Sequence, residues 1–172
     1  RTTGDPLEQP HAESYGVSLN NLHFKYISHA TDGTGHSHGQ WWQTGGITLS
    51  GFGHSMRNCI IEYSSNHGIV VIGGKTIVEN NLIHDTGYHG FYSAAINVLG
   101  DTHDVTVRKN TIWRTGDNGI RNNENKNTND PDYPAEVAYN RIQSYGMLTE
   151  DGGGIKTVGH SDDVNYSAWH HN

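Results

Sequence analysis

Several residue types are scarce in this sequence, and each shortage excludes a class of protein. Cys59 is the only cysteine among 172 residues, so the chain can hold neither an internal disulfide framework nor a cysteine-rich zinc site. Lysine and arginine total 11 against 18 aspartates and glutamates, a formal charge of -7. That balance argues against a general binder of nucleic acid or anionic membranes. No apolar run reaches membrane length, and the first residues lack the layout of a secretory signal.

What the chain has instead is glycine and uncharged polar residues. There are 22 glycines, and charged residues make up only 17% of a sequence that is 33% hydrophobic. Such a composition is typical of a fold with many turns rather than of a disordered, highly charged chain. The length fits one domain, so we expect residues 1–172 to form a single domain that belongs to a longer parent chain.

A repeat organises the sequence. Five short segments each begin with an opening residue, usually valine, followed by asparagine three positions later and leucine or isoleucine two positions beyond it. They read "VSLNNL", "SMRNCI", "VENNLI", "VRKNTI" and "VAYNRI", and their asparagines are Asn20, Asn58, Asn81, Asn110 and Asn140. Unequal repeats of this kind, separated by variable loops, indicate a solenoid.

A second apolar element follows each of these segments. The five elements read "GGITLS", "HGIVVI", "AAINVL", "NGIRNN" and "GGIKTV". They are short, rich in β-branched residues and bounded by Gly, Asn, Asp and Ser, and no sustained helical period appears anywhere in the chain. The pattern therefore predicts an all-β fold of short strands joined by turns.

The repeat resembles that of the right-handed parallel β-helix family, the pectin-lyase-like superfamily, from about Val17 to Asn172. "VENNLIHDTG", "VRKNTIWRTG" and "VAYNRIQSYG" carry the likeness best. The resemblance implies a solenoid of about five coils, with the asparagines stacked inside as a ladder of amide hydrogen bonds. Successive coils would lie ~4.8 Å apart.

Alternation along the second strands predicts a column of outward side chains on one face of the solenoid. The residue after each isoleucine belongs to this column, which runs Thr48, Val70, Asn97, Arg121 and Lys156. Its last three members are polar or basic. Ordinary solvated side chains would explain any one of them, but three in register beside acids favour a substrate-binding groove.

The acids lie just before the same strands. Asp117 stands in "RTGDNGI", and Glu150 and Asp151 stand in "LTEDGGGIKTVGH". Glycosidic hydrolysis needs one carboxylic acid and one carboxylate, and neighbouring coils can supply that pair, so these three residues are the candidate catalytic groups. Repulsion between Glu150 and Asp151 is expected to raise the pKa of one of them. The alternative is that Asp before three glycines serves only as a turn.

Other residues carry weaker signals. His89, near the second-strand face, is a candidate for substrate contact, and Trp41 is a candidate for stacking on a sugar ring. The segment "NNENKNTNDPD", residues 122–132, concentrates oxygen ligands that calcium prefers, although its spacing matches no defined calcium loop and a solvated insertion is favoured. We therefore expect no cofactor, with calcium bound at this segment as the alternative, and assign no metal ligand.

These patterns leave three functions open. The first is a glycoside hydrolase acting on a polysaccharide, and the second is a polysaccharide lyase acting on a uronate polymer, with Lys156 or Arg121 neutralising the carboxylate or acting as base. The third is a non-catalytic carbohydrate-binding or adhesin β-helix, since a solenoid can offer a long binding face without chemistry. The family resemblance implies an extracellular or cell-surface location, with a polysaccharide or oligosaccharide as partner and neither nucleic acid nor membrane.

Overall fold

The computed structural model describes residues 14–27, 45–88, 93–123, 135–157, 168–170 and 172. These residues form strands and turns, and the described part of the chain contains no helix, hence none that could span a membrane. The strands in chain order are β1 (Ser14–Tyr15), β2 (Ser18–Asn20), β3 (His23–Lys25), β4 (Ile47–Phe52), β5 (Ser55–Arg57), β6 (Ile60–Ser64), β7 (Ile69–Gly74), β8 (Ile77–Glu79), β9 (Leu82–Thr86), β10 (Ala94–His103), β11 (Thr106–Arg108), β12 (Thr111–Thr115), β13 (Asn118–Asn123), β14 (Glu136–Ala138), β15 (Arg141–Gln143), β16 (Ile155–Thr157) and β17 (Ala168–His170).

Three parallel sheets arise because every third strand pairs with its equivalent in the next coil. Sheet A has the order β1-β4-β7-β10-β13-β16, sheet B the order β17-β14-β11-β8-β5-β2, and sheet C the order β15-β12-β9-β6-β3. Five coils therefore run from β1 to β15, and β16 and β17 begin a sixth. This confirms the predicted parallel β-helix of about five coils.

At each described bend from one sheet to the next, a residue has a positive φ. Asn80 (φ 55) lies between sheets B and C, Asp85 (φ 53) near the end of β9 where the chain leaves sheet C, and Asp104 (φ 56) between sheets A and B. Asparagine and aspartate tolerate this left-handed conformation better than most residues do. Turn residues at these corners thus set the triangular course of the chain.

The core fills the inside of the coils with aliphatic side chains in columns. Val78, Val107 and Val137 are in register in sheet B, and Ile83 and Ile112 in sheet C. All five are almost completely buried. In sheet A the five isoleucines that begin the second-strand elements pair in succession, which confirms the predicted register of these strands. They are Ile47, Ile69, Ile96, Ile120 and Ile155.

The asparagine ladder is present along the inner side of the corner between sheets B and C. Asn81 Nδ2 donates to Asn110 Oδ1, Asn110 Nδ2 to Asn140 Oδ1, and Asn140 Nδ2 to Asn172 Oδ1, each at 3.0 Å. The same amides also donate to backbone carbonyls of the preceding coil, as Asn110 Nδ2 does to Val78. The buried amides are therefore satisfied rather than costly.

The prediction that Asn58 belongs to this inner ladder is wrong. Met56 pairs with Val78, which places Asn58 level with Asn80 rather than with the ladder residue that follows it. Cys59 takes the inner position of this coil, where it is 1% exposed.

Asn58 and Asn20 instead belong to an outer row of amides. Asn58 Nδ2 donates to Asn20 Oδ1 at 2.8 Å, and Asn80 Nδ2 donates to Asn58 Oδ1 at 2.7 Å. All three residues are exposed. The corner between sheets B and C thus carries one amide row inside and another outside.

Candidate functional site

Asp117 lies in the turn between β12 and β13, directly before a strand of sheet A. It is 4% exposed, and its Oδ1 accepts a hydrogen bond of 3.0 Å from Thr149 Oγ1 on the next coil. Burial raises the pKa of Asp117 above its ordinary value. The Thr149 bond and the charges of Lys156 and Arg121 partly oppose this rise, whereas the charge of Asp151 adds to it.

The loop between β15 and β16, residues 144–154, lies against the Asp117 turn. Gly146 N donates to the Asp117 carbonyl oxygen at 2.7 Å, and Leu148 N donates to that of Gly116 at 2.8 Å. A Cβ on Gly152 would come within 2.5 Å of Gly146 Cα and 3.0 Å of the Asp117 carbonyl oxygen. Glycine at 152 is thus a packing requirement, so part of "DGGG" is structural, as the alternative interpretation holds.

Asp151 stands on this loop and forms an ion pair with Lys156 of β16. Lys156 Nζ donates to Asp151 Oδ2 at 2.6 Å and to the Asp151 carbonyl oxygen at 3.0 Å. The contact with Lys156 lowers the pKa of Asp151, and the charge of Arg121 acts in the same direction. The Asp151 side chain is 86% exposed, so this carboxylate is both ionised and open to solvent.

For Asp151, the expectation of a pKa raised by repulsion from Glu150 is wrong. Glu150 is exposed, and Asp151 titrates lower because Lys156 contacts it. The carboxyl group whose pKa is raised is that of Asp117, and burial rather than a neighbouring carboxylate is the main cause.

The predicted outward column of sheet A is in register. Thr48 pairs with Val70, Val70 with Asn97, Asn97 with Arg121, and Arg121 with Lys156. The prediction that the side chains of this column are exposed is wrong for its middle members, because Val70, Asn97 and Arg121 are buried. Thr48 is exposed and Lys156 is partly exposed, so the accessible part beside the acids is the Lys156 end.

Asn97 packs against a buried histidine. Its amide lies 3.2 Å from His67 Nε2, and His67 Nδ1 accepts a hydrogen bond of 3.0 Å from Ala94 N. The Asn97 atom at this distance is Nδ2, and the donor and acceptor roles in this contact depend on the tautomer of the His67 ring. This contact holds Asn97 inside the structure.

The structure therefore brings together four of the predicted site residues, Asp117, Arg121, Asp151 and Lys156, whose charges act on one another. Glu150 is next to them in the chain. His89 and Trp41 lie outside the described residues, as does most of the segment 122–132. Among the residues that are described, no group of three or more His, Cys, Asp or Glu side chains could hold a metal ion.

Thr149 is the contact that sequence reasoning missed. It directly precedes Glu150, but threonine before two acids is an ordinary pattern in a loop. Its hydroxyl matters only because the loop folds back onto the coil before it, and no sequence signal marks that fold. A second charged group lies on sheet C and its corner, and it consists of Glu62, His84, Asp85 and Arg114.

A family model for the right-handed beta helix region matches residues 13–166. The chain therefore belongs to the right-handed β-helix family, in agreement with its three parallel sheets. No curated protein and no solved structure matches it significantly.

Proposed function

We propose that this chain is a glycoside hydrolase of the pectin-lyase-like type, which cleaves a polysaccharide at the Lys156 end of sheet A. Asp117 is the general acid, and Asp151 is the carboxylate that acts as nucleophile or base. The observation that carries the proposal is the opposite direction of the two pKa values, raised for Asp117 and lowered for Asp151, in groups close enough to interact. Two carboxyl groups whose environments push their pKa values apart suit acid-assisted cleavage of a glycosidic bond, in which one gives a proton and the other acts as a carboxylate.

Each carboxyl group has a structural cause for its role. Asp117 is buried under the loop of residues 144–154, so it holds a proton to higher pH than an exposed aspartate does. Asp151 is kept ionised by Lys156, which also orients it. Glu150, exposed beside Asp151, is retained as the alternative base.

The cations of the site contact the substrate in this proposal. Lys156 and Arg121 lie in register on neighbouring strands, and Lys156 is the partly exposed one of the two. Arg121, Asn97, His89 and Trp41 remain predicted substrate contacts. Contact of a substrate with Arg121, Asn97 or the buried Asp117 requires the covered part of sheet A to open. A polysaccharide substrate implies an extracellular or cell-surface location.

The test is an assay of the purified chain against a panel of neutral and acidic polysaccharides. Release of reducing ends without a new ultraviolet absorption is expected, because hydrolysis leaves no double bond. Asp151→Asn should lower turnover by about a hundredfold or more with the melting temperature nearly unchanged. The matched control is Asp104→Asn, an exposed aspartate at another corner, which should keep wild-type turnover.

Two results would replace the proposal. An ultraviolet-absorbing product, with activity lost in Lys156→Ala and spared in Asp151→Asn, would assign the lyase reaction that the adjacent cations also suit. Tight binding of an oligosaccharide that stays intact for days, at an affinity unchanged by Asp151→Asn, would assign a carbohydrate-binding module instead.

A further inference from the structure

We propose that Thr149 is a positioning residue for Asp117, which fixes the carboxyl group so that Oδ2 carries the proton given to the glycosidic oxygen. This inference rests on the proposed function, because it assigns Thr149 a part in the same reaction.

The first support is geometric. Thr149 Oγ1 donates to Asp117 Oδ1 at 3.0 Å, and the two residues belong to different coils. Backbone hydrogen bonds on the same loop, from Gly146 to Asp117 and from Leu148 to Gly116, hold Thr149 in place. The backbone on which Thr149 stands is therefore fixed, and rotation about χ1 is the freedom that its β-branched side chain retains.

The second support is that the hydrogen bond makes the two oxygens of the carboxyl group different. Among the described residues, Oδ1 is the oxygen that receives a side-chain hydrogen bond. Because the hydroxyl proton already points at Oδ1, the acid proton belongs on Oδ2. During the reaction this proton moves from Oδ2 to the glycosidic oxygen while the bond from that oxygen to the anomeric carbon breaks. A new bond forms to the anomeric carbon from Asp151, or from a water whose proton Asp151 takes, and Asp117 is left as a carboxylate.

The third support is electrostatic. A hydrogen bond to a carboxylate is stronger than one to a neutral carboxyl group, so the Thr149 contact strengthens as Asp117 loses its proton. An interaction that is stronger in the transition state than in the ground state raises the rate of the chemical step. Thr149 is therefore expected to act on turnover rather than on substrate binding.

Other charges also act on Asp117 and must be held constant in any test. They are the side chains of Lys156, Arg121 and Asp151. Thr149→Val keeps all three and removes only the hydroxyl, whereas Thr149→Ser keeps the hydroxyl and removes a methyl group. This pair separates the hydrogen bond from the packing of the loop.

The experiment measures the titration of Asp117 by carboxyl ¹³C NMR and the pH profile of polysaccharide cleavage in both variants. Thr149→Val should raise the titration midpoint of Asp117 by about one pH unit, because the charged form loses a hydrogen bond. Turnover should fall by about tenfold with little change in KM, and the alkaline limb of the profile should move to higher pH. Thr149→Ser should titrate and turn over like the wild type.

The outcomes separate this inference from the proposed function. An unchanged Asp117 midpoint in a folded Thr149→Val variant overturns the positioning role whether or not the chain cleaves polysaccharide. A raised midpoint with unchanged turnover also overturns it, and leaves the hydrolase proposal standing if Asp117→Asn is inactive. A wild-type chain that cleaves no polysaccharide overturns both, and the titration then reports only on the hydrogen bond. Equal loss of turnover in the Ser and Val variants would assign Thr149 to loop packing.

Discussion

Two regions of the molecule place acids beside cations, and the pKa values of the acids respond differently in the two. The first is the corner network on sheet C, made of Glu62, His84, Asp85 and Arg114; the second is the candidate site around Asp117 and Asp151. In the corner network both carboxylates titrate below their ordinary range, because Lys25 and His23 donate to Glu62 and because Arg114 and His84 donate to Asp85. In the candidate site the pKa of Asp117 is raised and the pKa of Asp151 is lowered.

Asp85 and Asp117 show that direct contact with a cation, not burial, decides the direction in which the pKa of a buried carboxyl group shifts. They are 8% and 4% exposed, so burial acts against the charge of both. At Asp85, hydrogen bonds from Arg114 and from His84, the latter at 2.6 Å, outweigh that effect. Among the described residues, the Asp117 carboxyl group accepts a side-chain hydrogen bond only from the neutral Thr149 hydroxyl, and Lys156 and Arg121 act on it through their charge alone. A fully paired acid serves the fold, whereas an acid that keeps its proton is suited to chemistry.

The largest expected effect comes from making the same substitution in both regions. Asp117→Asn should lower turnover by about a hundredfold or more, because an amide cannot donate an acid proton. Asp85→Asn should leave turnover unchanged and lower the free energy of unfolding by about 1 to 2 kcal/mol, because Arg114 and His84 lose a charged partner. Urea unfolding and the cleavage assay measure the two effects. Asparagine tolerates the positive φ of Asp85, so backbone strain does not enter.

The reverse pattern would break the comparison. If Asp85→Asn abolished turnover and Asp117→Asn only destabilised the fold, the corner network would be the reactive region. The site proposed on sheet A would then be an ion-pair cluster.

The inner asparagine ladder gives a reference for a polar network that serves only the fold. Asn110→Leu should lower the free energy of unfolding by about 2 to 4 kcal/mol, because Asn81 N and Nδ2 both lose their acceptor. Asn20→Leu is the control from the outer amide row, and it should change stability by less than about 0.5 kcal/mol since Asn20 is exposed. Equal changes in the free energy of unfolding would show that the inner ladder stabilises the fold no more than the outer row does.

The repeat predicts the architecture well because coil stacking imposes a register that the sequence must follow. It fails at Asn58 because asparagine suits two adjacent positions, the inner ladder and the left-handed corner before it. Where Cys59 replaces the ladder asparagine, the corner asparagine imitates the motif. The repeat pattern therefore places the segment of Asn58 out of frame by one residue. It places the segment of Asn20 out of frame by two, because Leu19 pairs with Met56 and Met56 with Val78.

The candidate site is predictable only in part, and for a related reason. Register alone places Arg121 and Lys156 side by side, with Asp117 and Asp151 before their strands. Burial is decided by how the loops fold, which a repeat pattern does not encode. The raised pKa of Asp117 and the contact from Thr149 both depend on the loop of residues 144–154. The sequence therefore predicts which residues lie together, but it gives the wrong cause for the raised carboxyl pKa.

The smallest expected effect is a change in how stability depends on pH. A raised carboxyl pKa means that the folded state holds its proton more tightly, so Asp117 costs stability at pH 7, and this cost disappears as the pH falls below the ordinary aspartate range. A lowered pKa means the opposite for Asp85, whose contribution is present at pH 7 and is lost as the pH falls through its folded-state value. Relative to the wild type, Asp117→Asn should therefore be at least as stable at pH 7 and lose any advantage near pH 3. Asp85→Asn should be less stable at pH 7 and approach the wild type near pH 3. Urea unfolding of the three proteins at both pH values tests the sign, and differences of the same sign for the two variants would mean that the two aspartates play the same role.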